Sequence, residues 1–238
     1  MPSLRAAALT DIGRVRRQNE DRFLLDEPAR LFGVADGVGG LPGGSEAAQQ
    51  TIDDIASAIH ALSNGQEPNL TAIVHHANEA VGELGRRISP AMGIGTTLTF
   101  GCVRGGTLQI AHVGDSRVYA WSGGKLSQIS EDHSVENEAR LRRARGEVVY
   151  YNEVNRNALT RCIGQPTPPV VDLISRPLAA GDRYLFVTDG VTRMIGDLEL
   201  ATIVGKPGEP AEILEEMISL AVRRGGPDNA TGVLVFVD

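Results

Sequence analysis

Three times along this chain an apolar run of strand length ends on an aspartate. Leu31-Phe32-Gly33-Val34-Ala35 leads into Asp36-Gly37, and Ile110-Ala111-His112-Val113-Gly114 leads into Asp115-Ser116-Arg117. Tyr184-Leu185-Phe186-Val187-Thr188 leads into Asp189-Gly190. Pro227-Asp228-Asn229 comes just before the last apolar run, and Glu20-Asp21 opens the run that begins at Arg22. Taken singly, Asp-Gly and Asp-Asn are turn formers, and turns lie at strand ends. Taken together they constrain the fold, because buried strands that repeatedly deliver a carboxylate to their ends can gather several negative charges at one edge of the core. Such gathering is costly unless cations neutralise it. Oxygen donors suit hard divalent ions, Mg²⁺ or Mn²⁺, and no histidine or cysteine stands next to these carboxylates, which argues against zinc. Gly37 can bring its carbonyl close to such an ion with no side chain in the way.

β-type runs fall at 22–26, 31–36, 96–103, 107–113, 117–121, 170–174, 184–188 and 231–237. Gly105-Gly106 and Gly123-Gly124 lie between neighbouring runs, as hairpin turns do. Helical spacing links Ala48, Ile52, Ile55, Ile59 and Leu62, then Leu70, Ile73, Ala77, Val81, Leu84 and Ile88. A later helix carries Ile213, Leu214, Met217, Leu220 and Ala221, with Pro210 at its start and Gly225-Gly226 at its stop. This order is not a βαβα alternation, so the expectation is an antiparallel α+β fold with sheets inside and helices outside. No repeat or linker divides residues 1–238, which read as one domain.

A net charge of −7 argues against a nucleic-acid partner, which calls for a basic field. Cys102 and Cys162 have no metal-type spacing and fit a reducing compartment. Residues 1–10 hold too short an apolar run for a signal peptide, and no stretch approaches the roughly 18 apolar residues of a membrane span. A cytoplasmic location is expected.

In chain order the pieces are Arg16, Asn19-Glu20-Asp21, Asp36-Gly37-Val38-Gly39-Gly40, Gly95-Thr96-Thr97, Gly114-Asp115-Ser116-Arg117, Asp189-Gly190 and Gly226-Pro227-Asp228-Asn229-Ala230-Thr231. The series resembles the protein phosphatase 2C (PPM-type) serine/threonine phosphatases, particularly their compact bacterial members, from Asp11 to Val237. That resemblance implies a central β-sandwich flanked by helix pairs, a four-layer α-β-β-α arrangement with a metal cluster at one end. It implies that Asp36 bridges two Mn²⁺ or Mg²⁺ ions and Gly37 contributes a carbonyl oxygen. Asp189 and Asp228 would complete the ligands of one ion, and Glu20 and Asp21 would hold metal-bound waters. Asp115, with Asp189, matches the position of a third and weaker ion, and Asn157 falls near a position that can touch it. Arg16 matches the phosphate-binding arginine, with Arg17 as its rival.

The implied reaction is hydrolysis of phosphoserine and phosphothreonine esters in proteins, by direct attack of water activated at a two-metal centre. An arginine fork can hold two phosphate oxygens for in-line attack. Neither cysteine has an arginine six positions later, so the loop of a cysteine-nucleophile phosphatase is missing. The implied partners are phosphorylated substrates of a serine/threonine kinase, met by a monomer that binds neither nucleic acid nor membrane.

Two features depart from the wider pattern. Val38 stands where many animal relatives carry a histidine, and residues 134–157 correspond to a variable flap beside the active site. The flap's Arg140, Arg142, Arg143 and Arg145 either attract acidic phosphopeptides or, more simply, form the wet face of a surface helix. His133 either acts near the substrate or is merely exposed. Two rival functions are a catalytically silent protein-binding module, which would be expected to lack core aspartates, and a hydrolase of another phosphoester such as a nucleotide.

Overall fold

The computed structural model describes residues 2–63 and 66–238. Among them ten strands form two antiparallel sheets. In chain order they are β1 (Leu4–Asp11), β2 (Asp21–Asp26), β3 (Leu31–Asp36), β4 (Leu98–Arg104), β5 (Thr107–Val113), β6 (Arg117–Ser122), β7 (Lys125–Gln128), β8 (Asp172–Pro177), β9 (Arg183–Val187) and β10 (Ala230–Val237). One sheet runs β1-β10-β9-β6-β7 and the other β2-β3-β4-β5-β8. The helices are α1 (Gly44–His60), α2 (Leu70–Ile88), α3 (Val135–Ala144), α4 (Asp189–Thr192), α5 (Asp197–Val204) and α6 (Pro210–Arg223).

The expected α+β class and four-layer order hold, and side-chain alternation explains them. On β3, Leu31 and Ala35 pack with α1 and α2, whereas Phe32 and Val34 meet the opposite sheet. On β10, Leu234 and Phe236 face α5 and α6, whereas Val233, Val235 and Val237 enter the space between the sheets. Both faces of these strands are covered, so their sequences are unbroken apolar runs rather than alternating ones. Each large side chain buried this way contributes about 1.5–3 kcal/mol. Among the described residues no helix is long and apolar enough to cross a membrane.

Local signals place several boundaries. Gly105 and Gly106, and Gly123 and Gly124, all take positive φ in the two-residue turns between Arg104 and Thr107 and between Ser122 and Lys125. The Asn69 side chain accepts the Ala72 N–H at the start of α2, and Glu209 and Glu212 form a capping box ahead of α6. The run expected at 96–103 becomes a strand only from Leu98, because Thr96 makes isolated bridges to Gly37 and Ile163. The run at 170–174 shifts to Asp172–Pro177, where it pairs with β5 from His112↔Asp172 to Thr107↔Pro177.

Antiparallel pairing brings the acidic ends together. Asp21 opens β2 directly opposite Asp36, the last residue of β3. Gly232 on β10 pairs with Val187 on β9, so the segment before β10 lies beside the residues that follow β9. Both sheets therefore present carboxylates at the same end of the sandwich.

Behind this end, on β5, His112 is fully buried. Its Nε2–H donates to the Glu131 carbonyl (2.9 Å), and its Nδ1 accepts the Thr99 hydroxyl (2.8 Å). Burial, then the His133 ring 4.7 Å away, pushes its pKa down to about 4, while Asp172 and Asp132 pull weakly the other way. A depressed histidine contributes stability that is present above its unfolded value near 6.5 and lost as pH falls toward 4. His112's own share of the unfolding free energy should therefore fall by on the order of 3 kcal/mol across that interval. The difference in pH slope between wild type and His112→Gln, from chemical denaturation at stepped pH, isolates that share from the carboxylates that titrate in the same window.

Candidate metal centre

An open cleft of about 410 Å³ lies where the strand ends converge, and Arg16, Asp36, Gly37, Asp115, Asp189 and Asp228 line it. Glu20 and Asp21 are not among the lining residues, although Asp21 pairs directly with Asp36. A larger cleft of about 570 Å³ near the end of α2 contains Glu79, Glu83 and Arg86 but none of these carboxylates, so size does not mark the site.

The backbone around Asp36 is pinned by the Gly95-Thr96-Thr97 motif. The Asp36 N–H donates to Thr97 Oγ1 (2.9 Å), and its carbonyl accepts the Thr97 N–H and the Thr96 hydroxyl (both 2.8 Å). Thr97 Oγ1 also bonds Ser116 Oγ (2.7 Å), which ties Asp36 to the Asp115 turn. Asp21 accepts the buried Thr188 hydroxyl (2.8 Å), from the residue immediately before Asp189. Asn229 joins the loop bearing Arg16 and Glu20 to the segment bearing Asp228. It accepts the Glu20 N–H (2.8 Å) and donates to the carbonyls of Ile12 (2.9 Å) and Gln18 (3.0 Å).

The glycines after Asp36 and Asp189 are not turn residues. Neither has positive φ. A Cβ on Gly37 would stand 2.5 Å from the Gly44 backbone, and one on Gly190 would stand 1.9 Å from the Asn229 carbonyl oxygen. The start of α1 packs against Gly37 and the segment before β10 packs against Gly190 in α4, so close approach requires both glycines, and the turn-former reading fails at these two positions.

Crowding shows in the acidities. Burial, then the charges of Asp21 and Asp189, raises the Asp36 pKa well above the carboxylate range. Burial pushes Asp21 and Asp115 up to about 7, with Asp189 adding to both. Asp189 is itself raised by burial, against the opposing charge of Arg193. Burial raises Glu20 as well.

The donor set fits hard cations. Asp21 Oδ1 and Asp189 Oδ1 are buried without a hydrogen-bond partner, a costly arrangement for carboxylate oxygens that a cation would relieve. Among the described residues no three acidic, histidine or cysteine side chains stand as a finished cage around one ion. Two arginines also enter the carboxylate set. Arg16 Nη2 bonds Asp228 Oδ2 (2.8 Å), while Arg193 is ion-paired to Asp189 and stands 3.7 Å from the same Asp228 oxygen.

The sequence motifs contain Asn229, Thr97 and Thr188 but assign them no role, and they leave out Arg193. An arginine one helical turn after Asp189 reads as a surface charge, and hydroxyl or amide brackets have no spacing signature. The flap arginines follow the simpler of their two readings: Arg140 pairs with Glu131, Arg142 with Glu147, and Arg143 donates to the Val149 carbonyl. His133 meets neither expectation. It is buried away from the cleft, accepts the Gly114 N–H (3.0 Å) and faces Asp172 Oδ2 at 3.2 Å.

A family model for protein phosphatase 2C matches residues 9–230, and the chain belongs to that family. The serine/threonine protein phosphatase PstP of Mycobacterium tuberculosis is 35% identical over 98% of this chain, which spans only 45% of that protein. A putative protein phosphatase 2C-type of Streptococcus pyogenes is 33% identical, with 95% of this chain and 94% of the relative covered. A solved structure of the PstP catalytic domain in complex with two manganese ions is 34% identical. It superposes with a TM-score of 0.84 over 99% of both chains.

Asn229→Ala would remove three hydrogen bonds that hold the Arg16 loop. At a net worth of roughly 0.5–1.5 kcal/mol for each bond, urea denaturation should show a loss of about 2–4 kcal/mol.

Proposed function

We propose that this chain is a metal-dependent phosphoprotein phosphatase acting on phosphoserine and phosphothreonine. The observation that carries the reading is that Asp36, Asp189, Asp228 and Arg16 share one cleft although they come from four separate segments. Asp36, Asp189 and Asp228, with the Gly37 carbonyl, would hold two Mn²⁺ or Mg²⁺ ions, and Glu20 and Asp21 would hold metal-bound waters. When bound, such ions supply a nucleophilic hydroxide near neutral pH and neutralise charge on the phosphoryl oxygens.

The chain's own residues do the rest. Arg16 pairs with Asp228 until a phosphate dianion offers it two oxygens, and the fork then fixes the ester for in-line displacement. Val38 also lines the cleft, so no histidine at that position can give the leaving alkoxide its proton. Because water rather than a side chain attacks, no phosphoenzyme forms.

We read residues 1–238 as one domain with a flap at about 134–157. It works as a monomer in the cytoplasm on the products of a serine/threonine kinase, a compartment that suits the two free buried thiols of Cys102 and Cys162. A silent binding module is disfavoured, because every aspartate the chemistry needs is present.

Asp36→Asn and Asp189→Asn should each lower Mn²⁺-dependent phosphate release more than roughly 100-fold, the upper cost of losing even an outer-shell partner of a metal. The fold, checked by circular dichroism, should be retained. Phosphothreonine peptides should be turned over faster than nucleotides, and equal or faster nucleotide hydrolysis would remove the protein-phosphatase assignment.

A further inference from the structure

The carboxylate cleft is not isolated. A second polar cleft of about 420 Å³, beside the start of α3, meets it along a partition of four residues: Asp115, Asn157, Asp189 and Arg193. Three of these bring oxygen donors. The fourth brings a positive charge into the same corner.

Arg193 is placed there by the backbone. It follows Asp189 by one helical turn, where side chains four residues apart meet. Its Nη2 is ion-paired to Asp189 Oδ2, and its Nη1 lies 3.7 Å from Asp228 Oδ2. Asp189 is thereby divided: Oδ2 serves the guanidinium, while Oδ1 is buried and unpartnered. A divalent ion shared by Asp189 and Asp228 can use that free oxygen. A further ion between Asp115 and Asp189 would have to sit against a guanidinium already fixed on the same carboxylate. Arginine stays charged at every pH a folded protein meets, and no chelator removes it.

We propose that Arg193 is the resident cation of the Asp115–Asp189 corner, standing in place of a third divalent ion, so that the centre takes up two metal ions and no more. The inference rests on the two-ion reading of the cleft and goes beyond it, because it makes Asp115 a charge partner of Arg193 rather than a metal ligand. Arg193 is on this account a positioning residue, acting through Asp189 and Asp228.

Mn²⁺ uptake by the full chain, followed by electron paramagnetic resonance of the free ion, tests it without reference to turnover. Wild type should bind two equivalents. Arg193→Gln should bind three, Arg193→Lys should stay at two because the charge is kept, and Arg193→Gln combined with Asp115→Asn should return to two. Circular dichroism checks that each variant is folded. A third, Asp115-dependent equivalent in wild type would overturn the inference, as would two equivalents in a folded Arg193→Gln protein, and in both cases the two-ion reading would stand. No uptake by wild type would bring down that reading and this inference with it.

Discussion

Mutual repulsion among carboxylates at one end of the sandwich is the constraint around which the molecule is arranged. Two like charges 4 Å apart at an effective dielectric near 20 repel by about 4 kcal/mol. Asp21, Asp36, Asp115 and Asp189 all have raised pKa values, first from burial and then from neighbouring carboxylates. A fold of ordinary stability, about 5–15 kcal/mol, cannot carry many such contacts without relief. Relief comes from Arg16 and Arg193 inside the cleft, from the Thr188 hydroxyl on Asp21, and, on the proposed reading, from divalent ions.

The scaffold makes convergence geometrically possible. Strands covered on both faces hold a fixed register, because a one-residue slip would move every side chain into the opposite layer and mispack both. Fixed register puts Asp21 opposite Asp36 and brings the start of β10 beside the end of β9. Gly37 then lets the start of α1 pack against the end of β3, and Gly190 lets the segment before β10 pass close to α4. Thr97 and Asn229 bracket the loops that no sheet holds. Packing, register and site are successive consequences of the same apolar runs.

Those runs explain what the sequence made legible. A strand buried on two faces advertises itself by continuous apolar character, and a carboxylate at its end stands out against that background. β1 was missed because Leu4–Asp11 is alanine-rich and weak in β-propensity, and only its pairing with β10 makes it a strand. β7, a four-residue edge strand of largely polar residues, has little hydrophobic pattern to read. Arg193 escaped because its meaning depends on Asp228, thirty-five positions along the chain and adjacent only in space. His133 looked like a loop residue, and its burial follows from bonds to Gly114 and Asp172 that no local pattern foretells.

The central claim, that crowded negative charge at Asp36 is tolerated in order to hold cations, is most directly tested by the thermal midpoints of wild type and Asp36→Asn, each with chelator and with Mn²⁺. With chelator, Asp36→Asn should melt at the higher temperature, because one of the crowded charges is gone. With Mn²⁺ the order should invert, as wild type gains stability that the variant cannot. A variant that melts below wild type by the same margin in both conditions would contradict the account, since Asp36 would then be acting only as part of the packing.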